Sequence, residues 1–141
     1  MNILILNGPN LNLLGSREIE IYGEETIEEL CMWIETSQEG RDHNFKFYQS
    51  NHEGDLIDTI HDEREWAAGI ILNAGALSHY SYALRDAIKS INIDTVEVHI
   101  SDINSREDFR KISVIKDVCL GQISGLGKVG YIEAIKVLMN T

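Results

Sequence analysis

The chain has 141 residues, of which 43% are hydrophobic and 25% are charged, a composition typical of a folded domain with one core rather than of a disordered chain. Its formal net charge of -11 at pH 7 repels phosphate backbones and anionic lipid, so neither nucleic acid nor a membrane is an expected partner. An anionic substrate would need a local cluster of arginines to bind against this overall field.

The two cysteines and the N-terminal run indicate where the protein works. Cys31 and Cys119 lie in apolar runs and lack the spacing of a metal site or a redox motif, which favours reduced core residues. Reduced thiols are typical of a reducing compartment. The apolar N-terminal run is too short for a signal peptide or a membrane span. The sequence therefore predicts a cytoplasmic protein.

In the first half of the chain, short apolar runs alternate with helical patterns. Asn2–Asn7 predicts a buried strand, and a loop rich in Gly and Asn follows over 8–25. Thr26 begins a predicted helix over 26–37, because Glu29 completes a capping-box pattern three residues later. The next predicted elements are a strand at 45–50 and a helix at 55–66.

The second half continues this alternation to the end of the chain. The predicted strands are 68–73, 95–100 and 119–124, and the predicted helices are 80–91, 105–114 and 130–139. Strands and helices that alternate in this way predict a parallel sheet with helices on both faces. Crossovers of this length favour one α/β domain over residues 1–141, with a flavodoxin-like, doubly wound five-stranded sheet.

Polar side chains collect just beyond the predicted strand ends, where sheets of this kind bind their ligands. They are Asn10, Arg17, Tyr22, Asn73, Ser78, His79, Glu97, His99, Ser101, Arg106 and Arg110. Glu97 and His99 lie two residues apart on one predicted strand, so their side chains point to the same face. They could be a catalytic pair, or a buried pair whose polar groups simply hydrogen-bond to each other. The set contains a single carboxylate and no thiolate cluster, so we expect no metal site.

Several of these residues also have simpler interpretations. Tyr22 alone could be a surface aromatic, and His79 could cap the helix that follows it. Arg106 and Arg110 could lie on a solvated helix face, so the functional interpretation depends on the combination. The run 125–130 (GLGKVG) matches a dinucleotide-binding pattern in its letters, but no strand follows it, so we predict a tight turn before the last helix.

Many blocks of the sequence, in the same order along the chain, resemble the type II dehydroquinases. The blocks are 7–10 (NGPN), 13–15 (LLG), 17–18 (RE), 22–23 (YG), 49–51 (QSN), 53–54 (EG), 73–75 (NAG), 83–87 (ALRDA), 97–101 (EVHIS), 109–110 (FR) after Arg106, 125–127 (GLG) and 130–131 (GY). The resemblance covers nearly the whole chain. It implies a cofactor-free lyase that removes water from 3-dehydroquinate to give 3-dehydroshikimate through an enolate, in the shikimate pathway or in quinate catabolism.

The resemblance also implies a role for each matching residue. Tyr22 would be the base and His99 the general acid, oriented by Glu97. The other implied catalytic residues are the lid arginine Arg17, Asn10 at the enolate oxygen or a water, and Arg106 near the tyrosine. The implied substrate-binding residues are Asn73, His79, Asp86, Ile100, Ser101 and Arg110. Among these, Asp86 would reach the substrate of a neighbouring subunit.

The family forms dodecamers built as a tetramer of trimers, and the resemblance implies the same homo-oligomer here. Ile19 stands where the family usually has proline, which implies a more mobile lid. Asp102 stands where asparagine is usual, which implies an added negative charge beside the pocket for the substrate's carboxylate. The alternative from another class is a non-catalytic flavodoxin-like binding module. Such a module would need no convergence of tyrosine, arginine and histidine.

Overall fold

Five parallel strands form one sheet in the computed structural model, which describes residues 1–141. They are β1 (Asn2–Asn7), β2 (Asn44–Gln49), β3 (Gly69–Asn73), β4 (Thr95–His99) and β5 (Gly121–Ser124). Their order across the sheet is β2-β1-β3-β4-β5. This is the flavodoxin-like order, and it confirms the predicted fold class. The direction of winding reverses between β1 and β3, which is where ligands bind in such sheets.

Helices cover both faces of the sheet. They are α1 (Ile19–Tyr22), α2 (Ile27–Thr36), α3 (Glu53–Asp62), α4 (Tyr82–Ile91) and α5 (Val129–Met139). Ile3 and Ile5 of β1 pack in the core under α2 and α5, whereas Leu4 and Leu6 pack in the core under α3 and α4. Because side chains alternate across a strand, β1 supplies both cores. None of the helices has the length and apolar character that crossing a bilayer requires.

The predicted capping box at the start of α2 is present. Thr26 Oγ1 accepts a hydrogen bond from the Glu29 N–H at 3.2 Å, and Glu29 Oε1 accepts one from the Thr26 N–H at 3.3 Å. This reciprocal pair satisfies two N–H groups of the first turn, so α2 begins at a defined residue. It thereby fixes the end of the 8–25 segment. That segment is partly helical rather than an irregular loop, because it contains the 3₁₀ turn Leu11–Leu13 and α1.

The predicted helix at 105–114 is wrong. The stretch instead contains 3₁₀ turns at Ile103–Ser105 and Asp108–Lys111. Its two large apolar side chains, Phe109 and Ile112, are 54% and 63% exposed, so they form no buried stripe that would hold a helix against the sheet. Arg106 and Arg110 consequently lie on an irregular segment and not on one helix face.

Two other predicted helices have different bounds in the structure. The start of the predicted 80–91 helix moves to Tyr82, since the Ser81 side chain accepts a hydrogen bond from the N–H three residues later, at 3.0 Å. The residues before it, Gly75–His79, form a separate 3₁₀ turn. The predicted 55–66 helix is α3, which begins two residues earlier and ends at Asp62.

The glycine-rich run before the last helix is a turn, as predicted. Gly125 has φ 81° and Gly127 has φ 59°, and both values lie in the left-handed region that favours glycine. The N–H groups of these two residues donate to the carbonyls of Ser101 and Ile100, each at 3.1 Å. The turn therefore holds the chain that leaves β4 at the edge of the sheet where the site lies.

A buried hydrogen-bond network joins the ends of β1 and β3. Asn7 and Asn73 are register partners, and the hydroxyl of the fully buried Tyr131 on α5 lies between them. That hydroxyl donates to Asn7 Oδ1 at 2.5 Å and accepts from Asn73 Nδ2 at 3.0 Å. Burial raises the pKa of Tyr131, which keeps the phenol protonated and able to donate. The network fixes the amide of Asn73 at the sheet edge.

Replacing Tyr131 by phenylalanine tests this network. Tyr131→Phe leaves the facing amides of Asn7 and Asn73 without their shared partner, so the free energy of unfolding should fall by about 1–3 kcal/mol. Urea unfolding measures the loss. Tyr48→Phe is the matched control, because the exposed Tyr48 hydroxyl makes one contact with Glu63, at 3.3 Å. Equal unfolding midpoints for the two variants would show that the network does not stabilise the fold.

Candidate active site

A cavity opens at the carboxyl edge of the sheet, beyond the ends of β1, β3 and β4. The space inside it, counted together with the solvent at its open mouth, is about 520 Å³. Ten predicted site residues line it: Asn10, Arg17, Tyr22, Asn73, His79, His99, Ile100, Ser101, Arg106 and Arg110. Parallel strands end at one edge, so the topology brings together side chains from distant parts of the chain.

The lining of this cavity is cationic, although the chain is acidic. Arg17, Arg106 and Arg110 contribute side chains to it, and no Asp or Glu lines it. The chain as a whole has a formal net charge of -11. Glu18 and Glu107 lie next to these arginines but are about half exposed, so solvent screens them and they offset only part of the positive charge. The cavity is therefore suited to an anion.

Tyr22 lies at the end of α1 with its hydroxyl between two guanidinium groups. Arg106 Nη1 donates a hydrogen bond to the phenol oxygen at 2.8 Å, and Arg17 Nη2 donates one at 3.2 Å. The Arg17 guanidinium also lies over the ring, 4.2 Å from its centre. Glu18 is near both arginines at 4.0 and 3.9 Å and is about half exposed, so it offsets only part of their charge. Two charged donors are therefore directed at the phenol oxygen.

His99 and Glu97 form a buried pair on β4. The His99 Nε2–H donates to Glu97 Oε2 at 2.5 Å, and the two residues are 5% and 0% exposed. This contact commits Nε2 to the carboxylate and leaves Nδ1 as the nitrogen that a ligand can reach. His99 lines the cavity, whereas Glu97 lies behind it. The strand alternation predicted this shared face.

His79 presents one ring nitrogen to the backbone and the other to the cavity. Its Nδ1–H donates to the carbonyl of Ile112 at 2.7 Å, so Nε2 is the free nitrogen. The ring stacks on that of His99 with centres 6.2 Å apart. Burial lowers the pKa of His79, and the neighbouring His99 and Arg110 act in the same direction. The neutral ring then offers Nε2 as a hydrogen-bond acceptor.

Two backbone N–H groups are free at the end of β4. Among the hydrogen bonds of the loops and turns, none is donated by the N–H of Ile100 or of Ser101. The Ser101 hydroxyl accepts from Arg106 Nη1 at 3.0 Å, which leaves its own hydrogen for a ligand. The helical element that follows is only the 3₁₀ turn Ile103–Ser105, so the donors here are these local groups and not the N-terminus of a helix.

Asn10 enters the cavity in a strained backbone conformation. Its φ of 71° lies in the left-handed region, which asparagine tolerates better than most residues. Its N–H donates to Asn51 Oδ1 at 2.9 Å, and its side-chain amide makes no hydrogen bond within the chain. Asn51 was not predicted to act here, and no local pattern could have revealed a partner 41 residues away.

Two predicted site residues lie outside the lining. Glu97 contacts His99 from behind the cavity lining, and its orienting role stays a prediction. Asp86 is exposed on α4 and does not line the cavity of its own chain. Asp102 also lies outside the lining: its carboxylate accepts from the Asn104 N–H at 3.1 Å and caps the following turn. The Asp102 carboxylate, which was expected to bring negative charge to the pocket, therefore binds a backbone N–H instead.

The donor set does not resemble a metal centre. Nowhere in the chain do three or more His, Cys, Asp or Glu side chains lie close enough together to hold an ion. The carboxylate nearest to the two stacked imidazoles belongs to Glu97, which is already committed to His99. Hydrogen-bond donors and guanidinium groups dominate the cavity instead.

The proton affinity of His79 gives a direct test of the site's electrostatics. Its NMR titration midpoint should lie below the ordinary value of about 6.5, because burial and the nearby positive groups disfavour the charged ring. Arg110→Ala removes one of those groups and should raise the midpoint. Lys111→Ala is the control, since Lys111 pairs with Asp108 at 3.2 Å and should leave the midpoint unchanged. A wild-type midpoint at or above that of an unstructured histidine peptide would contradict this description.

Known proteins share both the sequence and the fold of the chain. The family described as Dehydroquinase class II matches residues 1–139. The 3-dehydroquinate dehydratase of Bacillus licheniformis is 54% identical over 140 residues, which cover 99% of this chain and 97% of that protein. The 3-dehydroquinate dehydratase of Bacillus subtilis is 52% identical over 139 residues, covering 99% and 94%.

Two solved structures extend the comparison to three dimensions. The type II dehydroquinase from Butyrivibrio crossotus superposes with a TM-score of 0.95 at 50% identity and covers 100% of this chain and 98% of that one. The type II dehydroquinase from Propionibacterium acnes gives a TM-score of 0.92 at 37% identity, covering 99% and 97%. Sequence and fold agree over almost the whole length, and the chain belongs to the class II dehydroquinase family.

Proposed function

We propose that the chain is a 3-dehydroquinate dehydratase that removes water from 3-dehydroquinate to form 3-dehydroshikimate without a cofactor. The relatives that share about half of its residues are 3-dehydroquinate dehydratases. The observation that carries the chemistry is the Tyr22 hydroxyl, which two guanidinium groups hold in a cavity that His99 also lines. The reaction serves either aromatic biosynthesis or quinate breakdown, since both use the same step. The enzyme is a hydro-lyase.

Tyr22 is the proposed base. The substrate carries a ketone and, beta to it, the hydroxyl that leaves, so the first step removes a proton alpha to the ketone. The phenol oxygen is the atom that would take this proton. Arg17 and Arg106 both donate to it, so the structure holds the proposed base between two charged donors.

Proton removal leaves an enolate whose oxygen needs a hydrogen-bond donor. The Asn10 side chain is the proposed group, acting directly or through a water. Its amide is free of partners within the chain, and its backbone is held by Asn51. The amide is therefore available to donate to the enolate oxygen. Asn73 also lines the cavity, and its side-chain amide is hydrogen-bonded to the Tyr131 hydroxyl. It is a proposed substrate contact.

His99 is the proposed general acid. In its doubly protonated form the ring donates from Nε2 to Glu97 and carries a second proton on Nδ1, the nitrogen on the cavity side. Transfer of the Nδ1 proton to the departing hydroxyl completes the loss of water. The Glu97 carboxylate accepts from Nε2 and so holds the orientation of the ring, and its proposed role is that of a positioning residue.

The substrate carboxylate has a proposed place at the end of β4. The free N–H groups of Ile100 and Ser101 and the Ser101 hydroxyl are the donors that support it. Arg110 and the neutral His79 are proposed to hold ring hydroxyls, since one donates and the other accepts. The 8–25 segment carries both Arg17 and Tyr22. If it closes over the substrate ring, it brings the Tyr22 hydroxyl and the Arg17 guanidinium to the substrate together and excludes water.

The assembly and location of the enzyme are part of the proposal. Asp86 lies exposed on α4 and away from the cavity of its own chain, which is compatible with reaching a neighbouring subunit's substrate in a dodecamer built as a tetramer of trimers. A cytoplasmic location is supported by the two free thiols. Burial raises the pKa of Cys31 to about 11 and that of Cys119 to about 12, so both are unreactive thiols at neutral pH.

Removing the hydroxyl of the proposed base should abolish turnover. Tyr22→Phe keeps the ring and its packing against the arginines but lacks the oxygen, so kcat should fall by roughly 10²–10⁴-fold. The assay follows the ultraviolet absorbance of the conjugated enone product, which the substrate lacks, with no metal or cofactor added. Tyr48→Phe, on the edge strand β2, is the control and should be fully active. Near wild-type turnover by Tyr22→Phe would refute the assignment.

A further inference from the structure

The buried carboxylate of Glu97 has a second partner besides His99. The Ser113 hydroxyl lies 3.0 Å from Oε1 and 2.9 Å from Oε2, so its hydrogen is directed at both oxygens. His99 also binds Oε2, at 2.5 Å. No other side chain hydrogen-bonds to this carboxylate, which is 0% exposed. Ser113 does not line the cavity, so it cannot act on a ligand directly.

The position of a doubly held carboxylate is narrowly defined. With His99 as its only partner, the Glu97 side chain could turn about its terminal bond and carry the imidazole with it. A hydroxyl donor on both oxygens fixes the carboxylate plane, and with it the direction in which the His99 ring presents Nδ1 to the cavity. Side chains behind an active site commonly orient the groups that touch the ligand in this way.

The backbone on both sides of Ser113 is held by contacts to residues that are distant along the chain. Its neighbour Val114 donates its N–H to the Ser78 carbonyl at 2.8 Å and accepts from Arg85 Nη1 at 2.9 Å. Arg85 also forms an ion pair with Asp117 through both of its terminal nitrogens. On the other side, the Ile112 carbonyl accepts from His79. Three consecutive residues, 112–114, therefore connect α4 to both histidines of the cavity.

We propose that Ser113 is a positioning residue for the reaction, which acts through Glu97 to aim the proton-bearing nitrogen of His99. This inference rests on the proposed function, in which His99 protonates the leaving hydroxyl. It assigns Ser113 a part in the rate of the chemical step and none in the binding of substrate. A purely structural hydroxyl would affect stability and leave the rate per folded enzyme unchanged.

The first test separates kcat from KM in the intact protein. Ser113→Ala should lower kcat by about 10- to 100-fold, as expected for losing a hydrogen bond to a charged group, and should change KM by less than about twofold. Ser113→Thr retains the hydroxyl and should recover most of the lost kcat. Ser37→Ala is the matched control: Ser37 is also half-buried and makes two hydrogen bonds, at the end of α2 and outside the cavity. Its kcat should equal that of the wild type.

The second test asks whether Ser113 acts through Glu97. In a Glu97→Gln background, adding Ser113→Ala should lower kcat by less than about twofold, because the carboxylate that the hydroxyl positions is already gone. Multiplicative losses in the double variant would overturn the proposal, as would a wild-type kcat for Ser113→Ala. His99→Ala distinguishes this failure from a wider one: if His99→Ala itself turned over normally, the proposed function of the site would be at fault.

Discussion

The Tyr22 oxygen lies within hydrogen-bond distance of two guanidinium groups, and the rest of the site is arranged around these contacts. A chain with a net charge of -11 would repel an acidic substrate if its carboxylates reached the cavity, yet none does. Glu97, the buried carboxylate nearest to the cavity, is turned towards His99 and Ser113. This separation of the two signs of charge gives an acidic protein a cavity lined by guanidinium groups.

The parallel sheet explains how such a site can be built from distant residues. β1, β3 and β4 end at one edge, so the loops that follow them meet there even though they lie far apart in the chain. The Tyr131 hydroxyl joins Asn7 to Asn73 at this edge, and Asn73 lines the cavity. The 8–25 segment lines the cavity as well and carries Tyr22.

The sheet and much of the site could be predicted from local patterns. Period-two alternation on β4 placed Glu97 and His99 on one face, and the strand-end rule brought the arginines to the same edge. The 105–114 segment was wrongly predicted as a helix because contacts across the chain decide its shape, such as that between Arg85 and Val114, which are 29 residues apart. Ser113 was missed for the same reason. The roles proposed for Tyr22 and Asp86 came from the family resemblance, since a lone tyrosine or aspartate carries no functional signal.

A crystal structure of the wild-type enzyme with an unreactive analogue of 3-dehydroquinate tests the central claim most directly. The account predicts that the analogue's ring lies in the cavity beyond β1, β3 and β4, with the Tyr22 oxygen at the ring carbon that would lose its proton. His99 Nδ1 should lie at the position of the leaving hydroxyl, and both arginines should stay on the phenol oxygen. An analogue bound elsewhere, or bound in the cavity without contact to Tyr22 and His99, would contradict the account.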